Sequence, residues 1–115
     1  MSQRTAVTTA ITLEYWVGND IPGVSYENAP VEPEFVDEIT IALRSDDAAI
    51  VDPRTPLYGG RPQVHLVGTT RALEAFGKYL IALARLETAD PDPHEHFESV
   101  RNADGGTVHL IVHRT

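Results

Sequence analysis

The chain has 115 residues, 42% hydrophobic and 23% charged, which is the length and balance of a single folded domain and excludes wholesale disorder. Seventeen acidic residues against nine basic ones give a net charge of -8, which disfavours nucleic acid and anionic membranes and suits a basic protein partner. The absence of cysteine excludes disulfides, thiolate zinc sites and cysteine nucleophiles. With no apolar run near the ~18 residues of a membrane span and no leader-like start at Met1-Ser2-Gln3-Arg4, the expected location is the cytoplasm.

From Val7 to Val17 the side chains alternate. Val7, Thr9, Ile11, Leu13, Tyr15 and Val17 share one face, a period of two that predicts a half-buried strand ending at Gly18-Asn19-Asp20. Residues 21–34 carry Pro22, Gly23, Pro30 and Pro33 and read as a long loop with room for a short edge segment. A second strand is expected over about Phe35–Arg44, where Ile39, Ile41 and Leu43 share a face. After the turn residues Ser45-Asp46-Asp47, a short strand over Ala48–Val51 is expected. A further strand over Gln63–Val67 reads as central because it runs directly into a helix.

That helix spans about residues 70–87. Thr69 or Thr70 can cap it, Glu74 lies near its positive end, and Glu74 and Lys78 form a favourable i,i+4 pair. Leu73, Phe76, Leu80, Leu83 and Ala84 make its apolar face, widened by Ala72, Tyr79 and Leu86. Gly77 falls within the apolar arc, where a missing side chain would let the helix approach the sheet closely. Ala89-Asp90-Pro91-Asp92-Pro93 stops the helix. Two strands, His94–Arg101 and Thr107–His113, then form a hairpin around Asn102-Ala103-Asp104-Gly105-Gly106, whose glycines supply the positive φ that tight turns need.

The hairpin carries four of the five histidines: His94, His96, His109 and His113. His-x-His in a strand places both imidazoles on one face, as a strand-based zinc or nickel site requires. A two-residue turn centred on Asp104-Gly105 sets His96 opposite His113 and Val100 opposite His109, with Phe97, Ser99, Val108, Leu110 and Val112 toward the helix. A three-residue loop instead puts His94 and His96 behind Leu110 and Val112 and dissolves the cluster. Tyr15 and Trp16, beside Gly18-Asn19, are candidate aromatic anchors for a partner.

No catalytic signature accompanies these residues. The carboxylate groups Asp46-Asp47-Asp52 and Asp90-Asp92-Glu95 lack the ligand spacing of a known calcium loop. Tyr58-Gly59-Gly60-Arg61-Pro62 is a turn and not a phosphate loop, and no serine sits in a Gly-x-Ser-x-Gly elbow.

The segment from Val64-His65-Leu66-Val67-Gly68-Thr69 through the helix Ala72–Ala84, then His94-Glu95-His96-Phe97 and Val108-His109-Leu110-Ile111-Val112, resembles small bacterial α+β domains among the immunity proteins of polymorphic toxin systems. The resemblance covers about residues 64–113, carries over no active residue, and implies a non-catalytic protein that neutralises a toxin by binding it. The expected architecture is a single α+β domain: a mainly antiparallel sheet of four to six strands, the helix on one face, and the C-terminal hairpin. The leading expectation for function is a protein-binding module for a basic partner. The alternatives are a metal-binding domain or small metal-dependent hydrolase using the hairpin histidines, and a homo-oligomeric structural subunit, such as a homodimer.

Overall fold

The computed structural model describes residues 3–18, 28–44 and 63–115. The expected strand over Ala48–Val51 and the turn before it lie outside these residues. The α+β architecture is as expected. A four-stranded mixed sheet is built from β3 (Ile39–Arg44), β4 (Gln63–Gly68), β5 (His94–Asn102) and β6 (Thr107–His113). One helix, α1 (Thr70–Ala84), lies on it, and a separate two-stranded arm pairs β1 (Tyr15–Val17) with β2 (Asn28–Pro30).

The long N-terminal alternation yields only three paired residues. Tyr15, Trp16 and Val17 face Pro30, Ala29 and Asn28, and a further bond from Val31 N–H to the Glu14 carbonyl continues the ladder at 3.1 Å. Upstream, Val7 and Ile11 are largely exposed and pair with no described strand. A period of two makes a segment able to extend, but a strand also needs a neighbour to accept its hydrogen bonds. The loop's short edge segment is β2.

The second strand also begins later than its pattern predicts. After Pro33 the chain turns, Phe35 adopts a left-handed backbone (φ 64°), and Val36–Glu38 form a 3-10 turn before β3. The Arg71 guanidinium lies 4.1 Å from the centre of the Phe35 ring, while Arg71 and the Thr69 hydroxyl both donate to the Glu38 carboxylate. Those donors, Arg71 foremost, hold the Glu38 carboxyl below its usual range. The turn is thereby tied to the first residues of α1.

Among the described strands the order is β4-β3-β5-β6, which puts β4 at the edge and not at the centre. β4 returns antiparallel to β3, and the helix then carries the chain across the sheet to the other side of β3, where β5 pairs parallel. A strand that feeds a helix is central only if a later strand joins its free side. Here the later strand joins β3.

Thr69 caps α1, its hydroxyl accepting from Ala72 N–H at 3.2 Å. The buried arc runs through Ala72, Phe76, Tyr79, Ala82 and Leu83, continued by Leu86 beyond the last turn. Leu73 and Leu80, expected at its centre, stand at its margins and are about two-fifths exposed (43% and 40%). The aromatic residues set the axis: Phe97 meets Phe76 and Tyr79 edge-on with ring centres 5.8 and 5.3 Å apart. Ile39 and Val100, both fully enclosed, complete the core between sheet and helix. Lys78 reaches Glu14 (3.2 Å), which brings the N-terminal segment against the helix.

The helix ends at Ala84, before the predicted Glu87, and distant groups satisfy the carbonyls around its end. Tyr15 donates its hydroxyl to the Ala82 carbonyl (2.8 Å), Arg114 donates to those of Leu83 and Leu86 (2.9 and 2.7 Å), and Asn28 donates to that of Glu87 (2.6 Å). The arm and the C-terminal tail are thus both fastened to the negative end of one helix. Arg114→Ala is expected to lower stability by about 1–2 kcal/mol in chemical denaturation.

Gly77 does not serve the expected close approach, because a Cβ added there meets no atom within 4 Å. Gly77→Ala is therefore expected to raise stability by about 0.5–1 kcal/mol, the ordinary gain from restricting the unfolded chain, read as a higher denaturation midpoint.

Candidate functional site

The geometry of the hairpin decides where the histidines go. At its turn Asn102 N–H donates to the Gly106 carbonyl (2.8 Å) and Gly105 takes φ 97°, closing the three-residue loop Ala103-Asp104-Gly105. Val100 faces Val108 and Arg101 faces Thr107. Continued unchanged, this register would send His94 and His96 to the helix side.

A β-bulge intervenes. Between Phe97 and Val100 the register shifts, so that Glu98 and Ser99 together oppose His109. Beyond it Phe97 faces Leu110, His96 faces Ile111, Glu95 faces Val112 and His94 faces His113. Both sides of the bulge keep their apolar residues toward the helix, with Val100 rather than Ser99 filling the inner position.

The four hairpin histidines consequently share the face of the sheet turned away from α1. His65 on β4 joins them: Thr40 pairs with both Val67 and Arg101, and His65 lies two residues from Val67. His65 itself is held by Gln63 Oε1 (2.9 Å). Along the hairpin, the rings of His113, His94, His96 and His109 follow one another with centres 4.9, 5.3 and 4.9 Å apart. They divide into two pairs. His96 Nδ1 lies 2.9 Å from His109 Nε2, while His94 and His113 stack beside Asp92.

Asp92, read in the sequence only as one of the carboxylates Asp90-Asp92-Glu95 without calcium spacing, joins the histidines. Its carboxylate lies 3.0 Å from His113 Nδ1 and 3.6 Å from His94 Nδ1. Asp92, His94 and His113 each offer one donor atom, all within 4.8 Å of one another. Asp92 lies between Pro91 and Pro93, beyond the helix end at Ala84, and a chain of local bonds sets its position: Asp90 N–H to the Thr88 hydroxyl (3.1 Å), and Asp92 N–H to the Asp90 carboxylate (2.9 Å).

A second feature opens on the helix side of the same strand. Because Thr40 faces Arg101, the first residues of β5 extend past the start of β3. The arm, the end of α1 and the start of β5 enclose a groove of about 810 Å³ there. Its lining combines the apolar Pro30, Leu83, Leu86 and Phe97 with Glu32, Asp90, Asp92 and Glu95, and includes His94 and His96. No lysine or arginine lines it among the described residues.

Glu95 is a product of the same register, since the bulge sends it toward the helix with Phe97. Its Oε2 and the Tyr79 hydroxyl are both enclosed and lack a hydrogen-bond partner among the described residues. Burial, and then the nearby Glu32 carboxylate, push the Glu95 carboxyl up to about 7, and burial likewise raises the Tyr79 hydroxyl. No spacing rule marks Glu95, because the alternation His-Glu-His reads as a polar strand end.

The candidate anchors separate. Tyr15 spends its hydroxyl on the helix end and is half-buried, whereas Trp16 is 48% exposed and donates its indole N–H to Glu32 at the groove's edge (3.1 Å).

The raised Glu95 carboxyl makes stability depend on pH in a defined direction. The folded state holds this proton up to about pH 7 while the unfolded chain releases it near its ordinary value of 4.5. The contribution is therefore complete at acid pH and is lost as pH rises to about 7. Glu95→Gln is expected to match the parent protein near pH 4.5 and to exceed it at pH 8 by about 1–2 kcal/mol, allowing for partial exposure of the group, in paired denaturation curves.

In comparisons with known proteins the chain matches no protein-family model, no curated protein and no solved structure.

Proposed function

We propose that this chain is a non-catalytic protein-binding module of the immunity type, which occludes a basic surface of a toxin. The observation that carries this reading is the groove beside β5. Glu32, Asp90 and Asp92, with the partly protonated Glu95, line it beside apolar residues and no described lysine or arginine, a setting that suits an arginine or lysine side chain inserted from a partner. The charge would be drawn to the carboxylates while the hydrocarbon stem lies on Leu83, Leu86 and Phe97. Trp16, exposed and bonded to Glu32 at the rim, supplies an aromatic surface beside that entry, where a guanidinium can stack. The net charge of -8 accelerates encounter with such a partner and makes association sensitive to salt. The resemblance of residues 64–113 to immunity domains agrees with this reading. No helix among the described residues is long and apolar enough to cross a membrane.

The test is affinity capture from the source cells at low salt with EDTA present, followed by titration of the captured partner. The reading expects a basic protein in stoichiometric amount, weakened about thirtyfold by Trp16→Ala, the effect of losing a contact worth about 2 kcal/mol. Glu32→Lys is expected to slow association about tenfold at low salt and much less at high salt. Recovery of nothing but further copies of this chain, with a dimer mass in light scattering, would replace this reading with the homo-oligomeric one.

A further inference from the structure

The face of the hairpin turned away from α1 carries a second arrangement, which shares Asp92 with the four groove carboxylates. We propose that Asp92, His94 and His113 form a three-donor site for a borderline divalent cation such as Zn²⁺ or Ni²⁺.

The donor set is a carboxylate and two imidazoles, the oxygen and nitrogen ligands that such ions take. The Asp92 carboxylate stands beside the stacked rings, with one oxygen 3.0 Å from His113 Nδ1 and the other 3.6 Å from His94 Nδ1. Metal–donor bonds of about 2.0–2.1 Å in a tetrahedron set donors about 3.3 Å apart, so a set spanning at most 4.8 Å closes on an ion by small side-chain rotations. The three groups are between 39% and 57% exposed, which leaves those rotations free and a fourth position open to water.

The backbone beneath is already fixed. His94 and His113 face each other across the ladder, Arg114 N–H bonds to the Pro93 carbonyl (3.0 Å), and Asp92 is held by the Asp90 side chain. His94 Nδ1 also lies 2.8 Å from the Asp92 carbonyl, a contact that an ion bound through that nitrogen replaces. His96 and His109 continue the face but bond to each other, and Glu98 stands 4.0 Å from His109. The proposed ion therefore takes Asp92 in place of that second pair.

The experiment is calorimetric titration of the metal-stripped full chain with ZnCl₂ alone, at neutral pH, in the parent protein and in four single variants. The expected result is one ion per chain with a dissociation constant of about 10 µM or tighter. Asp92→Asn and His113→Ala are each expected to weaken it at least about tenfold, with circular dichroism unchanged. His65→Ala and His109→Ala are expected to change it less than about threefold. Binding weaker than about 10 µM, or a loss confined to His109→Ala, would overturn the proposal. Because the partner capture above is done in EDTA, failure here leaves the protein-binding reading standing, and failure there leaves this one.

Discussion

Everything distinctive about this molecule depends on the two residues that β5 inserts against one residue of β6. With Glu98 and Ser99 both opposite His109, the strand regains the face it would otherwise have lost after its three-residue turn. Phe97 then enters the core beside Phe76 and Tyr79, Val100 remains enclosed, and the histidines fall together on the far side. A side-chain period of two makes this an all-or-none matter. Removing the extra residue would bring the imidazoles under the helix and turn Phe97 to solvent. The apolar core and the polar cluster are therefore consequences of one local irregularity.

The second constraint is at the end of α1. That helix finishes without a basic residue in its own last turn, and Tyr15, Asn28 and Arg114 reach in from the arm and the tail to donate to carbonyls there and just beyond. These bonds hold the arm at the height where β5 has outrun β3, and the space between becomes the acidic groove. Asp92 lies where the two features meet. It lines the groove, and its carboxylate is also the hinge of the histidine group. The chain thus sets a cation-attracting surface on each side of one strand end, built from adjacent residues that the pleat sends in opposite directions.

How much of this could be read from the residues varies with the range of the interaction concerned. The helix, its Thr69 cap and the hairpin were legible because their signals are local: apolar spacing, a capping hydroxyl, and glycines in a turn. The shared face of the four histidines was legible only under a particular register, and the turn that forms is the one expected to abolish it. The bulge that restores it leaves no mark in Phe97-Glu98-Ser99-Val100 that a periodicity count registers. The edge position of β4 and the short length of β1 depend on which strands meet, which alternation does not encode. The rotated face of α1 follows from Phe97 packing between Phe76 and Tyr79, a contact between distant parts of the chain. Asp92 and Glu95 were legible only as loop carboxylates without calcium spacing, and their roles were hidden for similar reasons. One sits among prolines that read only as a helix stop, and the other stands between two histidines that draw attention away from it.

The most direct test of this account is the pairing of β5 with β6 in solution, read from cross-strand backbone NOEs in a ¹⁵N,¹³C-labelled sample. The bulged pairing gives contacts that place Val100 opposite Val108 and yet Phe97 opposite Leu110 and His94 opposite His113, with the shift confined to Glu98-Ser99. An uninterrupted ladder from the turn, in which His96 lies opposite Val112, would contradict it and scatter both the histidine face and the groove that follow from the bulge.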